Sequence, residues 1–181
     1  MKDMIIRCFD NFIKITDTIG YFGPQILFLT TFFILYKKIK LLQIYIFGYI
    51  INILLNIVLK GVIKEPRPSE DKHIFNIWLN NVMKADRNWY DHFGMPSGHA
   101  ENVFYSTAFI FFSIKNSYWM LFYLIISLNT IYQRVKYKNH TISQVIVGSI
   151  IGSIIGWMFY YLAIRSIKGK MKLKDDDNAP L

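Results

Sequence analysis

Residues 41–68 read LLQIYIFGYIINILLNIVLKGVIKEPRP. From Leu41 to Ile63 the only charged residue is Lys60. A helix of those residues is about 35 Å long at 1.5 Å per residue, enough to cross a hydrocarbon layer of about 30 Å. The run then ends in KEPRP, where Pro66 and Pro68 cannot continue a helix. An apolar crossing that stops at a polar, proline-held corner sets the reading of the whole chain.

Outward from this segment the pattern recurs. Apolar runs cover roughly 21–36, 100–114, 117–133 and 142–164. The last holds Gly148, Ser149, Gly152, Ser153 and Gly156, with two GxxxG-type pairs that predict close helix packing. Residues 2–19 alternate differently. Ile5, Phe9, Phe12, Ile13 and Ile19 share one helical face, opposite Asp3, Arg7, Asp10, Asn11, Lys14 and Asp17. This predicts a helix on the membrane surface or packed on the bundle. The expected fold is an all-α integral membrane bundle of about five transmembrane helices plus that amphipathic helix. Residues 1–165 form one expected domain, with 64–98 as its long polar loop and 166–181 as a polar, flexible tail.

Composition agrees. Of 181 residues 53% are hydrophobic and 17% aromatic, above the apolar share of about 45–50% usual in soluble domains. The net charge of +9 falls in clusters between apolar runs, which suits membrane loops and speaks against a nucleic-acid stripe. One cysteine, Cys8, excludes an intrachain disulfide framework.

If the segments cross in turn, three polar clusters meet on one side: KGVIKEPRP with Lys60 and Arg67, PSGH with Ser97, Gly98 and His99, and RVKYKNH with Arg134 and His140. Taken singly, each has an ordinary reading. Lys60 is a snorkelling lysine, and Ser97 is a helix N-cap, with Glu101 one residue beyond capping-box spacing. Together, two arginines and a lysine without partner carboxylates call for a multiply charged anion, and guanidinium forks suit phosphate oxygens. Gly98 lets backbone approach a ligand at a helix start, a natural anion seat. One histidine can attack phosphorus and the other can carry the proton. No His, Cys, Asp or Glu set has metal-ligand spacing, so neither a metal nor another cofactor is expected.

K-x6-RP, PSGH and R-x5-H, in this order, resemble the type 2 phosphatidic acid phosphatase superfamily, which includes lipid phosphate phosphatases and relatives of vanadium haloperoxidases. The resemblance implies that Lys60, Arg67 and Arg134, with Ser97 and the Gly98 N–H, grip phosphate oxygens. It implies that His140 forms a phosphohistidine and that His99 protonates the leaving oxygen and then activates water. Two positions depart from the common pattern: Gln133 replaces a serine, and Gln144 replaces an aspartate four residues after His140. Gln144 lies on the His140 side of a helix and can accept from its Nδ1–H without supplying charge. HTISQ, KEPRP and GMPSGH are also similar to the dolichyl diphosphatase branch, where glutamine is usual at that position. The implied substrate is a polyprenyl, dolichyl-like diphosphate in the bilayer, cleaved to the monophosphate. A broad phosphatidate-type lipid phosphatase and a catalytically silent headgroup binder stay open as alternatives.

Further expectations concern the surroundings. Asp86, Asp91 and His92 read as a solvated charged loop, and Trp78 and Trp89 as interface anchors. The Asn139-His140-Thr141 sequon is read as accidental, because a glycan there would bury the nucleophile. Lys37, Lys38, Lys40, Lys115 and the basic stretch 165–174 place the opposite side in the cytosol. The site is therefore expected on the luminal or extracytosolic face, with the endoplasmic reticulum membrane as a candidate location.

Overall fold

The computed structural model describes residues 2–69, 89–114 and 116–168. Trp78, Asp86, Lys115 and the tail beyond Lys168 lie outside these, as does the side chain of Trp89. Six α-helices account for most of the described chain: α1 (Lys2–Tyr21), α2 (Gly23–Leu35), α3 (Ile39–Ile63), α4 (Gly98–Ser113), α5 (Ser117–Lys136) and α6 (Ile142–Lys168), with a 3-10 turn at Trp89–His92 before α4. The ends fall within a few residues of those expected from hydropathy.

The bundle is turned outward for lipid. Leu29, Phe33, Phe47, Leu54, Ile150 and Trp157 are exposed, as an apolar solvent permits. Polar side chains in the interior pair across helices. Tyr45 Oη and Ser106 Oγ lie 2.8 Å apart, Asn52 Nδ2 donates to Asn102 Oδ1 at 2.8 Å, and Thr31 and Tyr123 share a hydroxyl contact of 2.8 Å. In hydrocarbon an unpaired polar group costs several kcal/mol, on the order of the water-to-alkane penalty.

Helices α3 and α6 are each long and apolar enough to cross a membrane unaided. The α1–α2 pair meets that test jointly, bent by 66° at Phe22. By length and composition the bent pair is one broken span or a re-entrant loop, and α1 packs against α5, the second of the two placements expected for it. The α1 N-terminal half exposes Met4, Phe9 and Phe12. Its C-terminal half is tied to α5, where Lys136 Nζ contacts both Asp17 oxygens at 2.8 and 2.9 Å and Asn129 Nδ2 donates to Thr16 O at 2.8 Å. Helix α4, with 16 residues, is only about 24 Å long. It has little need to match the bilayer, because α2, α3, α5 and α6 all pack on it, and Val103, Tyr105, Phe109 and Ile110 are fully buried.

The tightest pairing is α4 on α6. A Cβ at Gly148, Gly152 or Gly156 would run into the backbone of Ser97, Glu101 or Tyr105 respectively. Glycines four apart on α6 thus lie along backbone carbonyls four apart on α4, a close approach that rewards dispersion contacts where lipid offers no hydrophobic drive. Gly61 is the contrast, since nothing lies within 4 Å of a Cβ placed there.

Gly152→Ala is expected to lower the melting temperature of the detergent-solubilised protein, its overpacking cost of about 1–3 kcal/mol outweighing the helix-propensity gain of about 1 kcal/mol. Gly61→Ala, with the same propensity gain and no clash, should leave stability unchanged or raised.

Candidate active site

Each motif reaches the site through a local backbone device. Helix α3 ends at Lys64, whose left-handed φ of 54° and N–H bond to Lys60 O at 3.1 Å turn the chain into EPRP. At the far end of α5, Lys138 takes a φ of 51°. The N–H groups of Asn139 and His140 then both donate to Arg134 O, at 3.0 and 3.2 Å. That closure is the physical content of the R-x5-H spacing, since it folds His140 back over the helix end carrying Arg134. Ser97 caps α4 from an extended backbone, with its Oγ 3.5 Å from Ala100 N. Ser97 N also donates to Gln144 O at 3.1 Å, joining PSGH to the start of α6, and Gly94 N donates to Glu65 O at 2.7 Å.

These ties converge on a cavity of about 200 Å³ lined in part by Lys60, Arg67, Asp91, His99, Arg134 and His140. Gly98 lines it too. Of the eight residues selected from sequence, only Ser97 and Gln144 stand behind the wall, both fully buried. Tyr21, Asn56 and Asn102 complete the polar lining, and the Arg134 guanidinium lies over the Tyr21 ring at 5.6 Å.

The ring nitrogens of His140 are assigned by their partners. Arg67 Nη1, which can only donate, lies 3.0 Å from Nε2. Gly94 O, which can only accept, lies 2.9 Å from Nδ1, and Gln144 Oε1 lies 3.2 Å from the same nitrogen. The neutral ring therefore carries its proton on Nδ1, and the Nε2 lone pair belongs to the cavity side. Burial, reinforced by Arg67, Arg134 and Lys60, holds the His140 imidazolium well below the ordinary histidine pKa. His99 Nε2 is buried with no hydrogen-bond partner among the described residues, and its ring lies 5.6 Å from that of Tyr21.

Three expectations are corrected. Asp91 is not a solvated loop charge. Its Oδ1 lies 2.7 Å from both Lys60 Nζ and Arg67 Nη2, and its carbonyl accepts from Arg67 Nε at 2.9 Å. The cations are consequently not without a carboxylate, because the loop supplies one across 24 and 31 residues of sequence, where no local pattern could reveal it. Glu101 does not cap α4. It points inward, and its Oε2 accepts from Asn56 Nδ2 at 2.6 Å. His92 is exposed, as expected. Asn139 is buried and its carbonyl accepts from Arg67 Nη1 at 2.8 Å, which fits the reading of the sequon as accidental. Gln133, the other departure, is buried with its Oε1 3.5 Å from Arg134 Nη1.

Residues 41–168, which contain all eight sequence-selected positions, match the PAP2 superfamily. The chain belongs to that superfamily. Among its relatives, a dolichyldiphosphatase of Saccharomyces cerevisiae is 26% identical over 126 residues, covering 64% of this chain and 49% of that protein. Lipid phosphate phosphatase epsilon 1, chloroplastic, of Arabidopsis thaliana is 30% identical over 125 residues, covering 64% and 38%. A lipid A 4'-phosphatase of Bacteroides thetaiotaomicron is 31% identical over 71 residues, covering 39% and 32%. This PAP2 chain thus matches half or less of the length of each relative. No solved structure matches it significantly. Among its described residues, no three His, Cys, Asp or Glu side chains form a group able to hold a metal ion.

The tautomer and the depressed pKa are directly measurable. Nitrogen-15 NMR of histidine-labelled protein, assigned with His140→Ala, should show a neutral ring protonated at Nδ1 at pH 6.5. Because the folded protein binds this proton less readily than the unfolded chain, acidification through the ordinary histidine range should also cost stability.

Proposed function

We propose that the protein is a membrane lipid phosphatase that hydrolyses a polyprenyl, dolichyl-like diphosphate to the monophosphate and inorganic phosphate. The observation that carries this is an unprotonated His140 Nε2, held by the Arg67 Nη1 donor at 3.0 Å, beside the cations Lys60, Arg67 and Arg134 around one small cavity. In the proposed reaction Lys60, Arg67 and Arg134 hold the terminal phosphate oxygens, together with the first turn of α4 at Gly98 and Ser97. The Nε2 lone pair attacks phosphorus while the bond from phosphorus to the bridging oxygen breaks. His99 gives its proton to that oxygen, which leaves on the lipid monophosphate. Water then attacks the phosphohistidine and loses a proton to His99, and phosphate departs with the Nε2 lone pair restored. The cations carry the charge stabilisation, so no metal is required in this scheme.

An apolar groove of about 610 Å³ supports a lipid substrate. It shares Ile53, His99 and Asn102 with the polar cavity and continues between α2 and α3 past Phe28, Ile46 and Tyr49. A headgroup in the cavity would leave its chain in that groove. The named activities of the yeast and plant relatives support the two substrate readings in turn, a polyprenyl diphosphate and, as the second, a broader range of lipid phosphates. Acceptors from both Gly94 and Gln144 on His140 favour an enzyme over a silent headgroup binder. The active site is proposed on the luminal or extracytosolic face.

Phosphate release in EDTA from a polyprenyl diphosphate, a polyprenyl monophosphate and phosphatidate tests the reading. The diphosphate should be preferred, and His140→Ala should abolish release from every lipid. Preference for phosphatidate would overturn the substrate, and release by folded His140→Ala would overturn the mechanism. In the same assay Asp91→Asn should tighten inhibition by inorganic phosphate several-fold, because a carboxylate that occupies Lys60 and Arg67 is removed; weaker inhibition would show that Asp91 organises the cations instead.

A further inference from the structure

Gln144 uses both ends of its amide. Its Oε1 faces His140 Nδ1 at 3.2 Å and accepts from Thr141 N at 3.2 Å, while its Nε2 donates to Glu65 Oε1 at 2.7 Å and to Pro66 O at 2.9 Å. A carboxylate and a backbone carbonyl can only accept, so they fix the amide with its NH2 toward Glu65 and its oxygen toward the imidazole. Glu65 is itself held where it stands. Its carbonyl accepts from Gly94 N at 2.7 Å, the adjacent Pro66 pairs with Phe93 in an isolated bridge, and Gly94 O is the other acceptor on His140 Nδ1.

We propose that Glu65 is a positioning residue of this site, acting on His140 through Gln144, and that the chain Glu65–Gln144–His140 replaces a carboxylate placed directly on the histidine. This rests on the reading of His140 as nucleophile. When Nε2 bonds to phosphorus the ring keeps its Nδ1–H and becomes cationic. A negative charge on Glu65 polarises the Gln144 amide and strengthens Oε1 as acceptor for that proton. The same geometry accounts for the absence of an acid at position 144. A carboxylate there would face Glu65 at hydrogen-bond distance, and two such groups cannot both stay ionised. It would also set an oxygen against Pro66 O. A local feature of KEPRP thus decides which residue type works 79 positions later.

The test is an exchange of the two groups, read as separate kcat and KM for phosphate release by the full chain in detergent. Glu65→Gln keeps an acceptor for Gln144 and loses the charge, and Glu65→Ala loses both. The expected order of kcat is wild type, then Glu65→Gln, then Glu65→Ala, the last lower by about 10- to 100-fold, by analogy with the loss of a carboxylate that orients a metal-ligating histidine, with KM little changed. Gln144→Glu alone should be more severely impaired. Adding Glu65→Gln to it should recover at least about tenfold, because donor and acceptor have traded places and the carboxylate repulsion is gone, an interaction that only a double-mutant comparison isolates. A double variant no better than Gln144→Glu, with thermal melts showing both folded, would falsify the proposal. Should Gln144→Glu not fold, an unchanged kcat in both Glu65 variants has the same force. His140→Ala, run alongside, separates the two readings: its residual activity tests the nucleophile, and the exchange tests the relay.

Discussion

The backbone contact between α4 and α6 is the constraint on which the site depends. Three glycines, at 148, 152 and 156, let α6 lie against the carbonyls of Ser97, Glu101 and Tyr105. Gly148 backs onto Ser97, the cap of α4, and Ser97 N bonds to Gln144 O one turn earlier on α6. The N-terminus that carries Gly98 and His99 is thereby fixed beside the turn that carries His140. A wider helix pair would separate the two histidines. Helices in lipid have no hydrophobic drive to close such a gap, so small residues and dispersion must hold it.

Charge is managed at the same end of the bundle. Lys60 and Arg134 are almost fully buried, and burying such cations without partners is costly. Asp91 bridges Lys60 to Arg67, and Tyr21 lies under Arg134. The 3-10 turn that presents Asp91 thus belongs to the electrostatics of the cavity. Helix α1, anchored by Asp17 to Lys136, supplies Tyr21 to the cavity wall. The amphipathic helix is consequently part of the site.

Much of the architecture was legible in the chain. Apolar runs place helices because one continuous turn structure must satisfy every backbone group in hydrocarbon, and prolines 66 and 68 mark where α3 ends. Crossing order alone sent Lys60, Arg67, His99, Arg134 and His140 to one face, where the cavity now joins them. Asp91 was not legible as a partner because its pairing spans the polar loop. The role of Gly94 was equally hidden, because a backbone carbonyl leaves no trace in residue type.

What the sequence by itself determined is the kind of molecule: an all-α membrane bundle with cations, a hydroxyl and two histidines gathered at one mouth. Alternation, span length and proline position carry that information, and each is a local property. Only the tertiary structure decided which nitrogen of His140 faces the cavity, which carboxylate meets the cations, and which way the Gln144 amide turns. Those outcomes depend on hydrogen bonds between groups 24 to 79 residues apart. Their geometry exists only after the helices have packed, because an N–H or a carbonyl constrains its partner by distance and direction, and neither is written in residue order.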